Sequence, residues 1–164
     1  MTTQHQLPIY DTRYQAPTMT MGAAKGTLGL TEDEILALIE EQGALYAFDI
    51  SSRSAGIPAR RELRILTQSV IDYHTAGCSP CYHTMLPPSG AVEAVLDCVP
   101  HKKPFLTGPE IQRLIICVTT HVTNLIESGA LHTIAASTWR RGPGGSPHID
   151  RQSFAKFLEA RIVC

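Results

Sequence analysis

The chain has no apolar run approaching the roughly 20 residues that a transmembrane helix needs, and a soluble protein with no membrane partner is expected. It does not open with a basic segment followed by an apolar one, so no secretory signal is expected. The stretch from Met1 to about Pro17 is rich in Thr, Gln and Pro and reads as a mobile tail. Five cysteines, an odd number, suit a reducing compartment better than a secreted disulfide framework. Two catalytic signatures are also missing. Gly142 to Gly145 precedes a strand and is not followed by Lys-Ser/Thr, so it is no phosphate-cradling loop, and there is no Gly-x-Ser-x-Gly elbow. The seven histidines are scattered over the tail, the middle segment and the second half, without a recognisable acid, base and nucleophile set, and no enzymatic activity is expected.

What the chain does have is a repeat. Leu38-Ile39-Glu40-Glu41-Gln42-Gly43-Ala44-Leu45 returns as Leu125-Ile126-Glu127-Ser128-Gly129-Ala130-Leu131, and Gln68-Ser69-Val70 with Tyr73 returns as Gln152-Ser153-Phe154 with Phe157. Two copies about 85 residues apart are too few and too distant for a solenoid, and read as two related small domains. At 43% hydrophobic, 164 residues can bury one ordinary core or two small ones. The net charge of −1 conceals an asymmetry: Lys and Arg against Asp and Glu number two to one over residues 1–28, four to eight over 29–73, none to two over 74–100 and eight to four over 101–164. A basic second half suits phosphate binding, although scattered cations also make an ordinary solvated face.

In the first copy, Thr31-Glu32-Asp33-Glu34 has the form of a capping box, so a helix is predicted to start there. Ile35, Leu36, Leu38 and Ile39 give it an apolar face, and Gly43 follows its end near Glu41. Tyr46–Ile50 and Leu63–Leu66 read as strands around a loop, and Thr67 caps a last helix ending near His74. Arg53, Arg60, Arg61 and Arg64 are either phosphate ligands or surface cations balancing the acidic helix. Residues 75–104 form a Pro-rich linker with one short helical candidate, Ala91 to Cys98. His74, Cys78, Cys81 and His83 stand there as H-x3-C-x2-C-x-H. That spacing is compatible with structural zinc or with free reduced cysteines, and no other cofactor is implied.

In the second copy, Pro109 and Glu110 open a helix through Ile111, Leu114 and Ile115. Ile116-Cys117-Val118 interrupts it, and a second helix runs from about Thr119 to Ser128, closed by Gly129. Two short helices about a tight turn make a helix-turn-helix, with Thr119, Thr120, His121, Thr123 and Asn124 on the outer face. Hydroxyl and amide side chains of this size suit a major groove, and they also suit plain solvent.

From Glu110 onward the chain resembles the winged helix-turn-helix of the excisionase and MerR-related families. The likeness rests on Leu125-Ile126-Glu127-Ser128-Gly129-Ala130-Leu131, on His148-Ile149-Asp150-Arg151, and on Phe154 with Phe157-Leu158, and covers most of residues 106–161. The resemblance implies double-stranded DNA binding through Thr119, Thr120, His121, Thr123 and Asn124. It also implies a wing at Trp139–Ser146 whose Arg140 and Arg141 reach a minor groove or phosphates, with Arg113, Lys102, Lys103 and Arg151 as further phosphate ligands.

The expected fold is therefore α+β with tandem winged-helix-like domains: a flexible tail over residues 1–28, a reduced copy over 29–74, the linker over 75–104 and a complete copy over 105–164. The first copy is expected to lack one helix, because Leu30-Thr31 lies much closer to Leu38 than Leu106-Thr107 lies to Leu125. The expected function is that of a cytoplasmic, bacterial or phage-type regulator, nucleoid-associated when bound to DNA: a transcription factor or an excisionase-like recombination accessory. It would work as a homo-oligomer on its site, or beside a recombinase or other protein held by the acidic first copy. The alternative is a winged-helix docking module that does not touch DNA.

Overall fold

A computed structural model describes residues 16–51, 61–75, 88–99, 103–134 and 148–163. It is a mixed α+β structure; the described residues form seven helices and two small antiparallel sheets. The first copy runs β1 (Thr18–Thr20), α1 (Met21–Leu28), α2 (Glu32–Glu40), β2 (Ala47–Asp49), β3 (Leu63–Leu66) and α3 (Thr67–Thr75). The connecting helix α4 (Pro88–Leu96) follows. The second copy has β4 (Phe105–Thr107), α5 (Gly108–Ile115), α6 (Thr119–Glu127), β5 (His148–Asp150), α7 (Arg151–Arg161) and the short β6 (Ile162–Val163).

Two expectations are corrected here. Residues 16–28 fall within the expected flexible tail, yet Thr18–Thr20 form a strand and Met21–Leu28 a helix, so the first copy does not lack one. The partner of Leu106-Thr107 is Met19-Thr20, not Leu30-Thr31. Thr20 caps α1 with its hydroxyl on the Ala23 amide, as Thr107 caps α5. The spacing from Thr20 to Leu38 equals that from Thr107 to Leu125. α1 is hard to read because MGAAKGTL carries two glycines and little apolar periodicity. Its stability comes instead from packing: Ala24 is fully buried and Thr27 nearly so, with the Thr27 hydroxyl bonded back to the Ala23 carbonyl. The exposed Gly26 has nothing within 4 Å of a built Cβ. Gly26→Ala should therefore raise stability by about 0.5–1 kcal/mol, read as a shift in urea midpoint with unchanged slope.

The two copies match bond for bond. Thr18↔Leu66, Met19↔Ile65 and Thr20↔Arg64 in the first correspond to Phe105↔Asp150, Leu106↔Ile149 and Thr107↔His148 in the second. Ala47 pairs with Ile65 as Thr133 bridges to Ile149. The serine of the Gln-Ser echo has one task in both: Ser69 Oγ accepts the Tyr46 amide at 3.2 Å, and Ser153 Oγ accepts the His132 amide at 2.9 Å. The glycine echo is equally physical. Gly43 and Gly129 take φ of 59° and 78°, the left-handed turn in which L side chains are strained, and the chain then drops back into the core at Leu45 and Leu131.

The copies are not separate bodies. The four-stranded sheet has the order β1-β3-β2-β6, so the last strand of the second copy completes the sheet of the first, with Phe48 opposite Ile162. One face of that sheet, through Met19, Ala47, Leu63 and Ile65, packs with α1, α2 and α3. The other face, through Tyr46, Phe48, Ile50 and Leu66, joins the core of the second copy. Both faces being covered explains why Leu63–Leu66 is buried throughout despite Arg64. Helix α4 adds Ala91, Val92 and Val95 to the second core, so the segment expected as a linker contributes to packing. No helix among the described residues is long and apolar enough to cross a membrane.

Candidate nucleic-acid interface

The geometry of α5, its turn and α6 is set from both copies. Thr107 and Glu110 form a capping box at the start of α5. Burial pushes the Glu110 carboxyl up, but hydrogen bonds from Lys103 and Thr107 outweigh it and leave the group below the usual carboxylate range. The helix ends at Ile116, whose φ of 44° is left-handed where the first copy has Gly29. A β-branched residue is strained there. What holds it is Arg64 of the first copy, 8% exposed, which donates Nε to the Ile115 and Ile116 carbonyls at 2.8 and 3.0 Å and Nη2 to Ile116 at 2.7 Å. A guanidinium at a helix C-terminus satisfies orphan carbonyls and meets the negative end of the helix dipole. Arg64 is thus a clamp on the turn, which corrects its reading as a phosphate ligand or surface cation.

Two more bonds fix the motif. The Thr18 hydroxyl donates to the Leu114 carbonyl at 2.7 Å, and His121 Nε2 sits 2.6 Å from the Ile50 carbonyl, which identifies Nε2 as the protonated nitrogen. Beside this junction, burial pushes the Cys117 thiol up to about 11, with Arg64 opposing and Glu62 adding to the shift, and the side chain packs against the second core.

On α6 the side chains divide by helical angle. Val122 and Leu125 are buried, and His121 is turned to the first copy. Thr119, Thr120, Thr123, Asn124 and Glu127 form one exposed stripe. The corresponding stripe on α2 reads Glu32, Asp33, Leu36, Ala37 and Glu40.

The other expected ligands are placed differently. Lys103 pairs with Glu110 at 2.7 Å and lies over the Phe105 ring, while Arg151 donates to the Leu96 and Lys103 carbonyls at 3.0 and 3.4 Å, tying α4 to the second copy. Arg113 is exposed at a cleft lined by Pro17, Cys98, Val99 and Glu110. In the first copy Arg61 pairs with Glu40. Arg53, Arg60, Lys102, Arg140, Arg141 and the rest of the wing lie outside the described residues. So do Cys78, Cys81 and His83, while His74 stands half-buried in the last turn of α3.

Sequence reasoning missed the clamp residues Arg64, Thr18 and His121. One signal could have found the first: a lone arginine inside an apolar strand marks a strand covered on both faces, where a charge must find carbonyl or carboxylate partners. No family model, curated protein or solved structure matches this chain.

Proposed function

We propose that the chain is a tandem winged helix-turn-helix protein of excisionase/MerR-related type, and that its second copy binds double-stranded DNA through α6 and the segment carrying Arg140 and Arg141. The supporting observation is the contrast between the two exposed stripes. The first two turns of α6 offer hydroxyl and amide groups with no carboxylate, while α2 puts Glu32 and Asp33 in the matching positions, where phosphates repel them. The first copy then acts as the platform that fixes α5 and α6 through Arg64, Thr18 and His121. The function that fits is regulatory, at a promoter or a recombination site.

The test is binding of the intact chain to random-sequence duplex over a salt series. The Arg140→Ala/Arg141→Ala variant should flatten the log–log salt slope by about 1.8, the loss of two phosphate contacts. Thr123→Glu, an exposed change that leaves the core intact, should abolish binding by setting a carboxylate in the groove. Absence of binding by the parent chain at low salt would overturn the reading in favour of a protein-docking module, for which the acidic α2 stripe is the natural surface.

A further inference from the structure

The equivalence of the two copies identifies a surface left open. In the first copy the outer sheet face, carrying Thr18, Tyr46, Phe48 and Arg64, is covered by the α5–α6 motif and α7 of the second. The strand registers map those four residues onto Phe105, His132, Ile134 and His148 of the second copy. That face carries apolar surface into solvent. Ile134 is 36% exposed and is, with Val118, one of two exposed large hydrophobics among the described residues; His132 is exposed, and Phe105, half-buried, stacks on His148 at 4.3 Å.

The motif that covers such a face also has a counterpart, the turn between α1 and α2. It lies at the surface: Gly29 and Thr31 are exposed, Leu30 is half-buried, and exposed Glu34 occupies the position that His121 holds on α6. We infer that this α1–α2 turn of one molecule docks on the Phe105, His132, Ile134 and His148 face of a second copy, repeating between molecules the contact that joins the two halves within one. Charge supports the pairing. The donor half carries four Lys/Arg against eight Asp/Glu over residues 29–73, and the acceptor half eight against four over 101–164. His148 stands at the register position of Arg64.

Such a contact is heterologous. Each molecule has one donor face and one acceptor face, so association runs head to tail without closing at a dimer. It uses neither the α6 stripe nor DNA, and stands whether or not the DNA reading holds.

Sedimentation velocity of the intact chain at low salt, without DNA, tests it. The weight-average sedimentation coefficient should climb with concentration past the dimer value. Ile134→Asp should block the acceptor face. Asp33→Arg/Glu34→Gln should weaken the donor face while keeping a glutamine able to complete the Thr31 capping box. Circular dichroism checks that both variants fold. Each alone should lose the high species, and the two mixed in equal amounts should give a dimer and nothing larger, since one intact donor then meets one intact acceptor. A chain monomeric at every concentration would overturn the inference, as would a discrete dimer indifferent to both variants.

Discussion

Arg64→Met should lower unfolding free energy by about 3–5 kcal/mol, the range for removing one partner from a buried charged network, against a total of about 5–15 kcal/mol for a domain. Methionine keeps the length and apolar stem of arginine, so the loss is that of the guanidinium. Three main-chain carbonyls, Leu63, Ile115 and Ile116, take hydrogen bonds from it at 2.7 to 3.0 Å. Each buried acceptor left without a donor costs about 1–3 kcal/mol. The Glu62 carboxylate at 2.6 Å is much more exposed and loses little, because water replaces its partner. A second cost comes from Ile116, whose left-handed backbone costs about 1–3 kcal/mol and is held by the same guanidinium. Arg64→Lys should recover only part of the loss, because one ammonium cannot reproduce the Nε and Nη2 fork on adjacent carbonyls. Urea denaturation gives the numbers, and a loss for Met below about 1 kcal/mol would show that the carbonyls find other donors.

How much of this could be read from the residues depends on the range of the interaction. Helices α2 and α5 announce themselves because start signals and buried stripes are local: the Thr31–Glu34 capping box in one, Pro109 with Glu110 in the other. The Leu63–Leu66 strand is legible residue for residue, since three of its four positions are apolar and Thr67 caps the helix that follows. α1 is not legible in the sequence because Gly22 and Gly26 lower its intrinsic propensity, and its reason to be helical is Ala24 and Thr27 packing in the first core. Without α1 in view, Leu30-Thr31 at the start of α2 resembles Leu106-Thr107 more than Met19-Thr20 does. The cover on the second face of the first sheet is invisible in the sequence for a deeper reason. Alternation in Tyr46-Ala47-Phe48-Asp49-Ile50 tells which residues share a face but not what covers it, and here the cover comes from more than 50 residues away, as in Arg64 to Ile115. The same limit applies to the candidate DNA surface. Thr119, Thr120, Thr123 and Asn124 were legible from helical angle, whereas the docking of His121 on Ile50 required the fold.

That residues of both copies build the second core predicts how they unfold, and Phe48→Ala tests it. Phe48 is 0% exposed and stands in β2 opposite Arg64 on one side and Ile162 on the other, with its ring among Ile50, Leu66 and residues of the second copy. Truncating a fully buried phenylalanine costs about 3–5 kcal/mol from lost transfer energy and the cavity left behind. In a pair of independent domains that cost would fall on the first alone, and amides such as Leu125 and Ile149 would keep their protection from hydrogen exchange. Here β6 closes the first copy's sheet, and Arg161 of the second donates to the Asp49 and Ser51 carbonyls at 3.2 and 2.6 Å. The cavity opens between the two layers and not beneath one of them. The expected result is a single cooperative transition in which protection at Leu125 and Ile149 falls together with that at Ile65, while selective loss in the first copy would mean that the second folds alone. Common unfolding also ties the α6 stripe to the first copy: its sheet is part of the surface against which α5 and α6 are held, so weakening it moves the stripe without altering one residue that faces solvent.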